Sequence, residues 1–177
     1  MRLLAALLLA LVTSASGAEL AGRVVSIADG DTVTVLDADH VQHIVRLAGI
    51  DAPEKRQPFG NVSRQHLAGL VFQRDVTVEW KKRDRYGRMI GVVRIDGQDA
   101  SLAQVQAGLA WHYLAYAGEQ RPADRLAYAD AEQQARADRQ GLWRDLAPVP
   151  PWEWRHLKQA DGAGISPDRA HSYVDSQ

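Results

Sequence analysis

The chain has 177 residues, 46% of them apolar and 24% charged, which excludes disorder along its whole length and fits one domain of ordinary size. Its 21 basic and 22 acidic side chains leave a net charge of −1, which excludes a uniformly basic nucleic-acid coat or a membrane-coating peptide, so an anionic partner must be met by a local patch. With no cysteine there is no disulfide framework, thiol nucleophile or thiolate zinc site, and the six histidines lack a metal-ligand spacing such as His-Glu-x-x-His.

At the start, Arg2 precedes an apolar run from Leu3 to Val12 that gives way to small and polar residues ending in Ser16-Gly17-Ala18. This is the pattern of a secretory signal peptide, and the run is short beside the roughly 20 apolar residues of a spanning helix. Residues 1–18 are therefore expected to be removed, giving a secreted or periplasmic protein with no membrane span that begins at Glu19.

From Leu20 to Ile50, Val24, Val25, Ile27, Val33, Val35 and their successors are β-formers interrupted by Asp29-Gly30 and Asp37-Ala38-Asp39, which predicts three short antiparallel strands. Ser63 as N-cap, with Leu67, Leu70 and Val71 at helical spacing, predicts a helix over 63–73. Strand character returns over 75–80 and 88–95, separated by a basic segment. Ser101 with Gln104 reads as a capping box for a helix that stops at Gly108. Pro122 suits a first helical residue and Gly141 a terminator, with an alanine-rich, one-face-docked helix between them. Five short strands with a helix after the third, and about three α-helices in all, match a small, partly open barrel of the OB type. The domain is expected over 19–147, a Pro/Trp-rich extension packing on it over 148–158, and a flexible tail over 159–177.

Three segments carry chemistry. In Asp29-Gly30-Asp31-Thr32 a turn places Asp31 at a strand end, although Asp-Gly alone serves equally as an ordinary hairpin turn. In the segment from Arg46 to Glu54, a mostly apolar strand carries Arg46 and ends in Asp51-Ala52-Pro53-Glu54, where proline restricts the backbone between two acids. Carboxylates from two strand ends suit a hard cation such as Ca²⁺, which also takes backbone carbonyl and water oxygens, so Asp31 and Asp51 are candidate ligands and Glu54 a candidate base toward a water beside the cation. The third segment, Lys81-Lys82-Arg83-Asp84-Arg85-Tyr86-Gly87-Arg88, concentrates positive charge in a slightly acidic chain. Tyr86 offers a flat face to a base or sugar and Arg88 a fork to phosphate oxygens, while a solvated basic loop remains the plain alternative.

These three motifs, in this order, resemble the staphylococcal nuclease family over roughly residues 20–145. The resemblance implies an OB-fold nuclease that uses Ca²⁺ to hydrolyse DNA and RNA at the 5′ P–O bond, leaving 3′-phosphate ends, and that works as a monomer; a single-stranded or frayed substrate is expected because phosphate contacts dominate and no groove-reading helix is evident. It implies Asp31, Asp51 and the backbone carbonyl of Ala52 as calcium ligands, Glu54 as general base, and Arg46 and Arg88 as the arginines that bind the phosphate and stabilise the transition state. Arg85 and Tyr86 fall at nucleotide-contacting positions and Tyr116, near Tyr113, at the base pocket, with Lys81 and Lys82 in the basic patch. The stretch from Lys55 to Val62 and the loop before Asp84 are shorter than in the staphylococcal pattern. The alternative class is a catalytically silent OB-type nucleic-acid-binding domain, such as arises in this family when these acids and arginines are lost; here all five are present.

Overall fold

A computed structural model describes residues 18–162. All of the expected signal peptide except Ala18, and the end of the chain from 163, lie outside the described residues.

Strand β1 (Ala18–Ile27) pairs antiparallel with β2 (Thr32–Leu36) on one side and with β5 (Asp75–Arg83) on the other. Strand β2 pairs with β3 (Gln42–Leu47), and β5 pairs with β6 (Met89–Ile95). A short parallel pairing of β3 with β6, Val45 to Met89 through Leu47 to Gly91, closes the five into a barrel. The expected five-stranded barrel of the OB type is thus present. Alternating β-branched positions point inward: Val24, Val33, Val35, Val45, Val78 and Val93 have no exposed surface. Three two-residue strands were not anticipated: β4 (Ile50–Asp51), β7 (Gln98–Asp99) and β8 (Trp111–His112), of which β4 and β8 pair with each other outside the barrel sheet.

The first helix, α1 (Gly60–Val71), begins three residues before Ser63. Ser63 is not its N-cap; it is buried within the helix and receives a hydrogen bond at Oγ from Gln104 Nε2 at 3.2 Å. The N-cap is Phe59, in the left-handed region at φ 66° with no side-chain cap bond, so tertiary packing rather than a local signal starts this helix. The capping box is corrected likewise. In α2 (Ala100–Gln106) the cap is Asp99, whose carboxylate accepts from the N–H groups of Ser101 and Leu102, and Gln104 is drawn into the core. Gly108 follows this helix at φ 64°, the conformation a terminating glycine supplies.

Asp99 also accepts from the Tyr128 hydroxyl at 2.8 Å. Burial pushes its carboxyl above the ordinary value, against the Leu102 N–H, the Tyr128 hydroxyl, Arg94 and the Ser101 N–H. A carboxyl raised on folding is held protonated more readily in the native state, so its contribution to stability is greatest below the unfolded value near 3.9 and falls as pH rises from there. Asp99→Asn, which keeps an oxygen for the cap, is expected to unfold at a higher temperature than the native chain at pH 7. Thermal unfolding as a function of pH should show that difference closing toward pH 4.

Helix α3 (Pro122–Ala137) has proline in its first turn as expected and buries Tyr128 and Ala135, but ends before Gly141, which instead opens a 3₁₀ turn, Gly141–Arg144. The strand β5 also runs on to Arg83, so Lys81 and Lys82 lie on a strand rather than in the basic loop. A fourth helix, α4 (Pro151–Gly162), runs four residues past 158, the expected end of the Pro/Trp-rich extension. Trp111, Ala135, Leu142 and Trp143 form a second apolar cluster, joined by Phe59 and by Trp152 of α4.

Candidate active site

Asp31 is placed by the turn between β1 and β2. The Asp29 carboxylate accepts from the Asp31 N–H at 3.1 Å, closing the turn, and the Gly30 carbonyl accepts from Gln104 Nε2 at 2.6 Å. Gly30 is required by space: a Cβ there would collide with Ser63 Oγ and lie 2.7 Å from Ala52 Cβ. Asp51 is placed by β4, where it pairs with Trp111 of β8.

Arg46 joins the two acids. It stands opposite Thr32 on β3, and its Nη2 lies 3.1 Å from Asp31 Oδ2 and 2.9 Å from Asp51 Oδ1. Its Nη1 donates to the carbonyls of Leu47 and Ile50, both at 3.0 Å, so the guanidinium is locked to the strand exit that holds Asp51. The second oxygen of Asp31 accepts from the Thr32 hydroxyl at 3.0 Å, and Oδ2 also accepts from the Ala52 N–H at 2.7 Å. Burial pushes the Asp31 carboxyl up to about 7; Arg46 opposes this, and the charges of Asp29 and Asp51 add to it. Two acids are thus buried together around the single guanidinium of Arg46.

Glu54 lies just beyond, on the loop into α1. Its N–H donates to Gln57 Oε1 at 3.0 Å and its carbonyl accepts from the Gln57 N–H at 2.8 Å, a compact turn that stands where a longer loop was the family pattern. Gln57 in turn donates to the Val149 carbonyl at 2.6 Å, which ties this loop to the segment leading into α4. The Glu54 carboxylate meets Arg155 of α4, whose Nη1 is 2.8 Å from Oε1. The same guanidinium forks onto Asp51, Nη2 to Oδ2 at 2.7 Å and Nη1 to Oδ1 at 3.3 Å. Arg155 was missed by the sequence reading; the available signal was the Trp152-Glu153-Trp154-Arg155 run, in which only the tryptophans drew notice.

Arg46, Asp31, Asp51, Ala52 and Glu54 are therefore gathered in one place. Arg88 is not in contact with the acids. It begins the approach to β6, beside the strand that carries Arg46, and its Nε is 2.7 Å from the Asp84 carboxylate of its own loop. Tyr86, 68% exposed, has Arg85 over its ring at 4.9 Å and Arg88 at 5.5 Å. Lys82 of β5 pairs with Glu119 at 2.6 Å and sits 5.3 Å from the ring centre of Tyr116, which stands in a 3₁₀ turn over Leu114–Glu119 beside Tyr113. Lys81 is exposed on β5. Tyr113 also packs against Trp152 with ring centres 5.4 Å apart.

The site offers oxygen donors and no sulfur, and among the described residues no group of three or more His, Cys, Asp or Glu side chains converges on a cation position. Two buried carboxylates around one shared cationic nitrogen fit a hard cation completed by backbone and water oxygens, and do not fit zinc.

A family model described as staphylococcal nuclease homologue matches residues 44–145. A protein named Protein ParB from Escherichia coli is 47% identical over 164 residues, covering 88% of this chain and 90% of that protein. A protein named uncharacterized endonuclease from Escherichia coli O157:H7 is 45% identical over 142 residues, covering 80% and 88%. A micrococcal nuclease from Shigella flexneri is 42% identical over 168 residues, covering 90% and 94%.

Proposed function

The chain belongs to the staphylococcal nuclease homologue family, and from that premise we propose that it is a Ca²⁺-dependent phosphodiesterase that hydrolyses DNA and RNA at the 5′ P–O bond to leave 3′-phosphate ends. The observation that supports this best is the Arg46 guanidinium shared by buried Asp31 and Asp51 at a strand exit that also holds Glu54. Asp31, Asp51 and the Ala52 carbonyl would hold the cation, which when bound neutralises charge beside the phosphate and orients a water.

Glu54 takes the proton of the attacking water as its oxygen bonds to phosphorus. Arg46 donates to the phosphoryl oxygens as charge collects on them, and Arg88 joins it by exchanging Asp84 for phosphate. The bond to the 5′ oxygen breaks, and that oxygen leaves with a proton from solvent. Arg85 over Tyr86 and Lys82 beside Tyr116, with Lys81 on the same strand as Lys82, would meet substrate with charge and aromatic faces, which favours single-stranded or frayed nucleic acid bound with little sequence preference and strong salt dependence. The apolar run after Arg2 supports export, and no helix among the described residues is long and apolar enough to cross a membrane. A monomer needs no further assumption, since the acids, base and arginines all come from one chain.

Digestion of single-stranded DNA and RNA with Ca²⁺, Mg²⁺ or chelator tests the reading. Shortening that needs Ca²⁺ and yields 3′-phosphate ends is expected. Cleavage undiminished in chelator overturns the metal role, and DNA retarded on a gel without shortening identifies a binding domain instead.

A further inference from the structure

The fourth helix contributes a side chain to the centre of the site although that residue, Arg155, stands 104 positions after Asp51 and 101 after Glu54. Its seat explains how. Asp51 pairs with Trp111 across β4 and β8, and the Trp111 ring meets Trp152 edge to face with centres 5.6 Å apart. Arg155 lies three residues after Trp152 and so on the same helical face, which brings its guanidinium to the acid that pairs with Trp111. Trp154 lines a cavity of about 50 Å³ with Pro53, Phe59 and Val149, so the helix also packs on the loop that carries Glu54.

Glu54 needs this neighbour. Its backbone is held by Gln57, but its side chain is 39% exposed on a loop, and among the described residues Arg155 is its ion-pair partner. Arg155 Nη1 reaches both Glu54 Oε1 and Asp51 Oδ1, and so fixes the distance between the base and an acid that is itself almost fully buried. Carboxylates at metal sites are commonly oriented by such outer partners, whose loss typically costs about 10- to 100-fold in activity.

We propose that Arg155 is a positioning residue of the active site, holding the Glu54 carboxylate in fixed relation to Asp51, so that helix α4 is part of the catalytic apparatus. This rests on the nuclease reading above. Arg155→Gln should lower kcat about 10- to 100-fold at saturating Ca²⁺ and single-stranded DNA while leaving KM within about twofold. Arg155→Lys should recover part of the loss, since it keeps the charge but not the fork. In a Glu54→Gln background Arg155→Gln should cost less than about twofold more, because its effect runs through Glu54.

The native protein, Arg155→Gln, Glu54→Gln and the double variant, unfolded thermally in chelator, report on the contact without any catalysis. The two single substitutions should each lower Tm by about 1–4 °C, and the double should fall no further than the larger of them. Additive Tm shifts overturn the placement of Arg155 on Glu54. A kcat unchanged or raised in Arg155→Gln overturns the positioning role and marks the guanidinium as a competitor of the cation for Asp51. A native protein that cleaves nothing overturns the nuclease reading and the catalytic role with it, and a coupled unfolding cycle then leaves Arg155 as a structural tie alone.

Discussion

Arg46→Ala is expected to damage both the chemistry and the fold. The side chain is 15% exposed and faces two carboxylates that are 8% and 2% exposed, so its removal leaves Asp31 buried with no ion-pair partner among the described residues and Asp51 with Arg155 alone. Removing one partner of a buried pair typically costs about 3–5 kcal/mol. Thermal unfolding in chelator should register this as a fall in Tm on the order of 10 °C for a chain of this size. Arg155 still reaches Asp51, so the unrelieved charge falls mainly on Asp31. Turnover should fall by about 10² to 10³ from the lost transition-state donor. Added Ca²⁺ should restore more Tm to this variant than to the native protein, because the cation replaces the missing charge; equal recovery in both would show that calcium does not bind at these acids.

Arg88→Ala is expected to be the clean counterpart, a loss of about 10² to 10³ in turnover with the fold untouched. Arg88 is 30% exposed, and its ion pair is with Asp84 in the same surface loop. That loop keeps its shape without the guanidinium, since Asp84 Oδ1 accepts from the N–H groups of Tyr86 and Arg88, and Gly87 supplies the turn at φ 81°. A partly exposed pair contributes about 1 kcal/mol at most, so Tm should move by no more than a few degrees. Arg88→Lys should recover little, since a lysine cannot make the bidentate contact. Undiminished cleavage by Arg88→Ala would remove this residue from the mechanism. The two arginines look alike in the sequence but sit differently in the fold: Arg46 joins the buried acids, and Arg88 lies partly exposed on a loop with Asp84.

The barrel was legible because its evidence is local. Period-two runs of valine and isoleucine state which face is buried, and Asp29-Gly30, Asp37-Ala38-Asp39 and, after the strand over 88–95, Asp96-Gly97 state where the chain turns. Asp31, Asp51 and Glu54 were legible for a related reason, since each sits at a strand end beside a turn or a proline, where backbone geometry follows from residue type. Helix starts were less so. Ser63 and Ser101 carry every local mark of a cap, yet Ser63 went to the core with Gln104 and the capping at α2 fell to Asp99, because a buried amide that holds Gly30 in place satisfies more polar groups than a box at a helix end.

By itself the sequence determined the five barrel strands and the inserted helix, which depend on dihedral preference and burial within a few residues, and it put candidate acids at strand ends and candidate arginines on a strand and in a basic segment. Tertiary structure alone decided that Asp51 is pinned by a two-residue pairing with Trp111, that Arg88 rests on Asp84 away from the acids, and that Arg155 meets Asp51 from 104 positions away. Such meetings leave no periodicity in the chain. They arise when packing elsewhere, here Trp152 on Trp111, brings together charges whose mutual attraction strengthens where one of them, as Asp51 is here, lies buried.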